Sequence, residues 1–286
     1  ALQAVHKVWS NNMALMITSN IMSLNAQRNV SATNNELATS IQRLSSGLRI
    51  NSAKDDAAGL YTVERMTADI RGLNQAARNA ADGISLSQTA EAALGQIGDN
   101  LQRIRELAVQ ASNDTVEDRT GLQTEIDLLS DEILRIAGEA NFNGVQLLDG
   151  TAGDLNFQVG QDAGDLVTIL GADLDITGIT AYGGSGSFDV STSVAAQGVL
   201  TAADADIDAV SGLRATFGAT QNRFEAVISS VQSYAENVTA SRSRIRDTDF
   251  AAETANLTKV QIMQQAGVAM LAQANTVPQA VLSLLR

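Results

Sequence analysis

The segment VQIMQQAGVAMLAQANTVPQAVLSLL, residues Val260 to Leu285, contains no charged side chain. Its apolar side chains alternate at spacings of three and four residues, with small residues in the gaps. The apolar positions are Val260, Met263, Met270, Val277, Val281 and Leu284, and the small ones are Gly267 and Ala274. This spacing is typical of a helix with one coiled-coil seam, which needs a partner helix. Glutamine and asparagine interrupt the segment too often for a membrane span.

The N-terminal end has the same character, because residues Val8 to Gln27 are also free of charge. Ile17, Ile21 and Leu24 follow one another at spacings of four and three, so we predict that they form the N-terminal part of the same assembly seam. All 32 acidic residues lie between Glu36 and Glu253. Two neutral, amphipathic ends around an acidic middle indicate a subunit that joins to other subunits.

The composition excludes several classes of function. Of the 286 residues 44% are apolar but only 3% aromatic, which suits slim helical bundles. The absence of cysteine excludes disulfides, thiolate zinc sites and a cysteine nucleophile. The formal net charge of -13 argues against binding to nucleic acid or to an anionic membrane. We expect no cofactor and no metal ion.

The N-terminal residues contain no secretory signal pattern, and the first twelve look like an addition to the functional chain. No basic-then-apolar segment of secretory length opens the sequence, so we expect cytoplasmic residence or a specialised export route. Residues 1–12 hold the only histidine and the only tryptophan, and Met13 looks like a natural start. We interpret residues 1–12 as an upstream extension or a remnant of cloning.

The middle of the chain predicts a mainly α fold: a long antiparallel helical bundle with coiled-coil termini and a small β-rich excursion. Two seams with coiled-coil spacing, joined by a polar turn, indicate an antiparallel helix pair. The first seam comprises Leu94, Ile97, Leu101, Ile104, Ala108 and Ala111, and the second comprises Leu122, Ile126, Leu129, Ile133, Ile136 and Ala140. The sequence FNGVQLLDG predicts a β-hairpin. The segments are 13–57 (N-terminal coiled coil and joint), 58–150 (bundle and hairpin), 151–200 (variable, solvent-facing excursion), 201–246 (bundle) and 247–286 (C-terminal coiled coil).

Catalytic chemistry has little support in the sequence. The only histidine, His6, lies in the suspected extension, which leaves no Ser-His-Asp arrangement. Asp204, Asp206 and Asp208 are spaced like the start of a calcium loop, but the required glycine and closing glutamate are missing. The adjacent acids Asp55 and Asp56 more often have a structural role than one in glycoside cleavage. We therefore predict that the chain is not an enzyme.

Several long motifs, in order along residues 13–286, resemble those of bacterial flagellin, the subunit of the flagellar filament. They are LSSGLRINSAKDDAAG (44–59), RNAADGISLSQTAEAAL (78–94), LQRIRELAVQ (101–110), FNGVQLLDG (142–150), SRIRDTDFAAE (243–253) and VPQAVLSLLR (277–286). The resemblance implies a self-assembling helical polymer in the extracellular flagellar filament, exported by a type III system and used for swimming motility. A hook-filament junction protein and a cell-surface adhesin remain as alternatives.

The same resemblance implies partners and sites. The partners are other copies of the chain, the filament cap and hook-junction proteins, an export chaperone that binds residues 247–286, and an animal toll-like receptor. Arg103, Leu107 and Glu125 correspond to the receptor-binding and protomer-contact surface of the family. Family members sometimes carry glycans, for which the excursion offers Ser185, Ser187, Ser191, Thr192 and Ser193.

Overall fold

A computed structural model of the protein describes the backbone of residues 20–284 and the side chains of residues 20–276. Five α-helices account for most of this length, which confirms the mainly α prediction. They are α1 (Ile21–Ser46), α2 (Ala57–Ala111), α3 (Thr120–Glu139), α4 (Ser193–Arg246) and α5 (Phe250–Leu284). The four strands are β1 (Asn141–Phe142), β2 (Val145–Gln146), β3 (Leu155–Gln158) and β4 (Leu166–Ile169).

The chain divides into two compact units. Residues 1–64 and 241–286 form one, which we call the terminal unit, and residues 65–240 form the other, which we call the bundle unit.

The predicted seams form the core of the bundle unit. All six seam residues of α2 from Leu94 to Ala111 are fully buried, and Ile126 and Ile133 of α3 are buried with them. Helices α2 and α3 are antiparallel: Arg119 donates to the carbonyl of Ala111 at 2.8 Å near the turn. The prediction succeeded because burial of large aliphatic side chains at coiled-coil spacing dominates the packing here.

The predicted β-hairpin is also present. Strands β1 and β2 pair antiparallel, with Phe142 opposite Val145. Asn143 and Gly144 form the two-residue turn with φ values of 50° and 82°. Positive φ at both positions is the geometry of a type I′ turn, which asparagine and glycine adopt at the lowest cost.

The excursion differs from its prediction in two respects. Helix α4 begins at Ser193 rather than near residue 201, because Ala196, Val199 and Ala203 are buried and extend its stripe toward the N-terminus. The excursion is also less exposed to solvent than we expected. Beside the antiparallel pair β3–β4, its scattered apolar side chains, among them Ile176 and Phe188, join the core of the bundle.

Two aspartates link the start of the excursion to its middle. Asp149 and Asp175 form an antiparallel bridge. Asp149 accepts hydrogen bonds from the hydroxyl and backbone N–H of Thr151 at 2.6 and 3.0 Å. Asp175 accepts the same pair from Thr177 at 2.6 and 2.8 Å. These bonds, the hydroxyl bond foremost, lower the pKa of both carboxyls below the ordinary value.

Candidate assembly interface

Helices α1 and α5 of the terminal unit pair antiparallel, and hydrogen bonds and one ion pair connect them along their length. Near one end the Asn20 amide donates to the carbonyl of Ala274 at 2.7 Å. Further along, Gln264 donates to Asn34 at 2.8 Å. Beyond these, the Asn256 amide donates to the Ser40 hydroxyl at 3.2 Å, and Arg43 lies 3.7 Å from Glu253.

The seam between these two helices is lined mainly by small and polar side chains. Its positions follow strict coiled-coil spacing; they are Ser23, Ala26, Val30, Thr33, Leu37, Ser40 and Leu44 on α1, and Glu253, Leu257, Val260, Gln264, Gly267, Leu271 and Ala274 on α5. The two helices approach tightly at Gly267, where an added Cβ would lie 2.9 Å from Cγ2 of Val30. The absence of a side chain at Gly267 therefore permits this helix spacing.

The seam that α5 forms with α1 in the single chain differs by one position in each heptad from the predicted assembly seam. Val260 and Ala274 are buried in the seam as expected, but Met263 and Met270 are exposed. Gln264 and Leu271 take their places. Two apolar stripes share residues 260, 267 and 274: one continues through Met263 and Met270, the other through Gln264 and Leu271. The hydrogen bond between Gln264 and Asn34 shows that the second stripe faces α1.

The seam on α1 differs from the predicted assembly seam in the same way. Ile21 and Leu24 are 64% and 54% exposed, while Ser23 and Ala26 face α5 instead. Ile17 lies outside the described residues. Val277, Val281 and Leu284 belong to α5, but their side chains also lie outside the described part of the chain.

Large apolar side chains therefore remain on the outside of the helix pair. We call this set the assembly flank; it comprises Ile21, Met22, Leu24 and Ile41 on α1, and Ile262, Met263, Val268 and Met270 on α5. Concentrated exposed apolar surface of this kind marks a site of protein association.

A short ordered joint closes the terminal unit. Gly47, at φ 72°, ends α1, and its carbonyl accepts from Thr248 N–H at 2.9 Å. Arg49 N–H donates to the carbonyl of Arg246 at 2.6 Å. Leu48 and Asp247 form an antiparallel bridge between these contacts. The joint is therefore tied to the segment that precedes α5.

The paired acids of the joint serve local structure. Asp55 accepts from the backbone N–H groups of Ser52 at 2.9 Å and Asn51 at 3.1 Å, and these bonds lower the pKa of its carboxyl. Asp56 accepts from Gly59 N–H at 2.8 Å at the start of α2. Each carboxylate is held by a turn, which agrees with the structural interpretation of this pair.

The structure brings together two of the three residues assigned to the receptor-binding surface. Arg103 donates to Oε1 of Glu125 from Nε at 3.0 Å and from Nη2 at 2.8 Å, and to Glu106 at 3.0 Å. These bonds raise the pKa of Arg103, with Glu125 contributing most. Leu107, in contrast, is only 2% exposed and belongs to the bundle core, so its prediction as a surface residue was wrong.

The reason for the burial of Leu107 is that α2 packs against two helices. Arg103 pairs with Glu125 on α3, and Arg105 pairs with Asp204 on α4 at 2.6 Å. The buried stripe of α2 is therefore wider than the single seam that we predicted, and it includes Leu107 beside Ala108.

The aspartates that resemble a calcium loop have separate roles. Asp204 pairs with Arg105, while Asp206 is buried and accepts from the backbone N–H groups of Thr180 and Ala181, both at 2.9 Å. Among the described residues, no group of three or more His, Cys, Asp or Glu side chains is arranged to hold a metal ion. No helix in that part of the chain is long and apolar enough to span a membrane.

The candidate glycan acceptors differ in accessibility. Ser185, Ser191 and Thr192 are exposed, and Ser187 and Ser193 are half-buried. Two of the hydroxyls already have local partners: Thr192 accepts from Ala195 N–H at 3.1 Å at the start of α4, and Ser187 donates to the carbonyl of Gly184.

Comparison with known proteins identifies the family. The models of the bacterial flagellin N-terminal and C-terminal helical regions match residues 17–153 and 200–285. A flagellin of Halalkalibacterium halodurans is 46% identical over 275 residues, covering 95% of this chain and 100% of the relative. A flagellin of Bacillus subtilis is 41% identical over 304 residues, with 95% and 100% covered. The crystal structure of Bacillus cereus flagellin matches 58% of this chain and 94% of that one, with 35% identity and a TM-score of 0.48. The chain belongs to the bacterial flagellin family.

Proposed function

We propose that the protein is a structural subunit that polymerises into the flagellar filament, and that the assembly flank forms its contacts with neighbouring copies. The observation that carries the proposal is the distribution of side chains on α1 and α5. The seam within the chain mixes small and polar side chains with leucine and valine, while further large apolar side chains such as Leu24 and Met270 face outward. Because members of this family form polymers, we expect a second copy of the chain to cover the assembly flank.

The energetics favour association through many modest contacts. Full burial of one large apolar side chain contributes about 1.5–3 kcal/mol, so a half-exposed one contributes roughly half of that. Association of two proteins costs about 4–15 kcal/mol in lost freedom of motion. Several flank residues must therefore be buried together, which a helical polymer achieves because each subunit contacts several neighbours.

In this proposal the subunit acts passively outside the cell, where the filament transmits motor torque as a propeller. Its export follows the type III route, and a chaperone holds residues 247–286 before export. The absence of charged side chains from Val260 to Leu285, with Ile262, Met263 and Met270 exposed, supports that assignment, since an apolar helix face suits a protein groove. Cap and hook-junction proteins contact the subunit during and after assembly.

Recognition by an animal toll-like receptor remains part of the proposal. The exposed ion pair of Arg103 with Glu125 supports it, because both side chains are accessible and held in one geometry. Leu107 contributes to this surface through the packing of α2 and not through an exposed side chain.

The test compares matched substitutions on the outer faces of α1 and α5. Leu24→Ser with Met270→Ser should abolish growth of filaments from short seeds, seen by negative-stain microscopy and sedimentation. Gln27→Ser with Gln273→Ser changes two exposed polar side chains on the same helices and should leave growth unchanged. Unaltered unfolding of both variants would show that the bundle is intact.

Normal filaments from the Leu24→Ser, Met270→Ser chain would contradict the assignment of the flank. If the unaltered chain formed only short rings or stayed monomeric with seeds present, the hook-filament junction or adhesin alternative would replace the filament subunit.

A further inference from the structure

The methionines of this chain are concentrated near the two ends of its sequence. The sequence contains six methionines and no cysteine, and five of the six methionines lie in residues 1–64 and 241–286. Three of these five have described side chains, namely Met22, Met263 and Met270, and they are 54%, 38% and 60% exposed. Methionine usually fills gaps in a core, so three accessible thioethers on one helix pair need a reason.

All three methionines belong to the assembly flank, next to the seam. Met22 lies between Asn20 and Ser23, which hydrogen-bond to Ala274 and Asn275 across the seam. Met270 lies one turn before Ala274, so both thioethers are near the same end of the helix pair. Met263 is adjacent to Gln264, whose amide binds Asn34.

We propose that Met22, Met263 and Met270 are oxidation sites that control whether a free subunit can polymerise. The inference rests on the proposed function, because it requires the flank to be buried between copies. A peroxide such as hydrogen peroxide transfers one oxygen atom to the thioether sulfur. The sulfur loses two electrons and becomes a sulfoxide, and the peroxide is reduced to water.

The sulfoxide would oppose assembly because it replaces an apolar group by a strong hydrogen-bond acceptor. Burial of an unpaired polar group is unfavourable, and one such group corresponds to about a tenfold rise in the critical concentration. Three modified sites on one face add to this effect. The reaction would act on free subunits, since neighbouring copies cover the same sulfur atoms in the polymer.

The first experiment treats purified full-length monomer with hydrogen peroxide and then adds short filament seeds. The critical concentration should rise at least about tenfold. In the variant with Met22→Leu, Met263→Leu and Met270→Leu, treated and untreated samples should have the same critical concentration, since leucine matches the volume of methionine and lacks the sulfur that peroxide oxidises. Met66→Leu is the matched control: Met66 is half-buried outside the terminal unit, and its replacement should confer no resistance.

The second experiment maps sulfoxides by peptide mass spectrometry in monomer and in filaments treated alike. Met263 and Met270 should oxidise at least about tenfold faster in the monomer. Methionine sulfoxide reductases of both epimer specificities should restore assembly of the oxidised monomer. Equal oxidation rates in monomer and filament, or the same loss of assembly in the triple leucine variant, would overturn the inference. Neither result would affect the proposed function, which fails only if the untreated chain does not polymerise.

Discussion

Gly83 of α2 lies against the ring of Phe224 from α4. This contact decides whether replacing Gly83 by alanine raises or lowers the free energy of unfolding. A Cβ at Gly83 would lie 2.5 Å from Cζ of Phe224 and 2.8 and 2.9 Å from its Cε atoms. Carbon atoms pack favourably at about 3.5–4.0 Å. The ring has no room to move aside, because it is fully buried and packs edge-on against Phe157, with centroids 5.4 Å apart.

Two opposing effects give the magnitude. Alanine is favoured over glycine inside a helix by about 1 kcal/mol, whereas an extra methyl group in a packed core costs about 1–3 kcal/mol. Because three ring atoms fall inside contact distance, we expect Gly83→Ala to lower the free energy of unfolding by roughly 1–2 kcal/mol. Gly95, in the same helix, is the matched control, since a Cβ there meets nothing within 4 Å. Gly95→Ala should therefore stabilise the chain by about 1 kcal/mol.

The assay is urea and thermal unfolding of the full chain, followed by circular dichroism. A domain of this size shifts its Tm by about 2–4 °C per kcal/mol, so the two variants should differ by roughly 4–12 °C. Phe224→Leu should recover part of the loss when combined with Gly83→Ala, because leucine lacks the clashing ring atoms. Equal stabilisation by Gly83→Ala and Gly95→Ala would refute the packing argument.

Four further predictions concern the seam, a buried carboxylate, salt and acid. Gly267→Ala should raise the critical concentration for assembly, measured by sedimentation, because its methyl group would lie 2.9 Å from Val30; Val30→Ala in the same chain should restore assembly. Asp206→Asn loses one of two accepted backbone hydrogen bonds and should lower the urea-derived free energy of unfolding by about 1–3 kcal/mol. The exposed control Asp208→Asn should change it by less than about 0.5 kcal/mol. Added salt should lower the critical concentration, since it screens repulsion between copies of net charge -13. Asp149 and Asp175, which bind threonine, have pKa values lowered by folding. Their contribution to stability is therefore complete above the unfolded pKa of about 3.9 and is lost as the pH falls further. The midpoint of thermal unfolding, measured as a function of pH, should therefore decrease below about pH 4.

The sequence predicts the bundle better than the termini for a physical reason. Seams such as Leu94 to Ala111 consist of large aliphatic side chains, whose burial dominates the local energetics, so the spacing alone identifies the buried face. The excursion lacks periodicity, and its isolated apolar residues, such as Phe188, are buried through contacts that no local pattern reveals. The width of the buried stripe on α2, which includes Leu107, likewise depends on the second helix that packs there.

The buried face of the two terminal helices is hard to predict from sequence, because each helix has two kinds of partner. One is the other terminal helix of the same chain, and the second, in the proposed polymer, is a neighbouring copy. A search for the most apolar stripe selects Met263 and Met270, which face away from α1, and passes over Gln264, which faces it. The difference is informative: on α5 the apolar side chains that the pattern selects, Met263 and Met270, are left exposed by the fold of the single chain.

Helices α1 and α5 place polar contacts in their seam and leave large apolar side chains on their flank, because folding and assembly have different requirements. Hydrogen bonds such as Gln264–Asn34 contribute only about 0.5–1.5 kcal/mol each, but their geometry fixes the register of the two helices. Apolar burial is stronger but does not specify register, and the seam uses only part of the apolar surface of the pair. The side chains of the assembly flank are left for contacts between copies in the proposed polymer. A polar flank in their place would give a folded helix pair with no apolar surface to drive polymerisation.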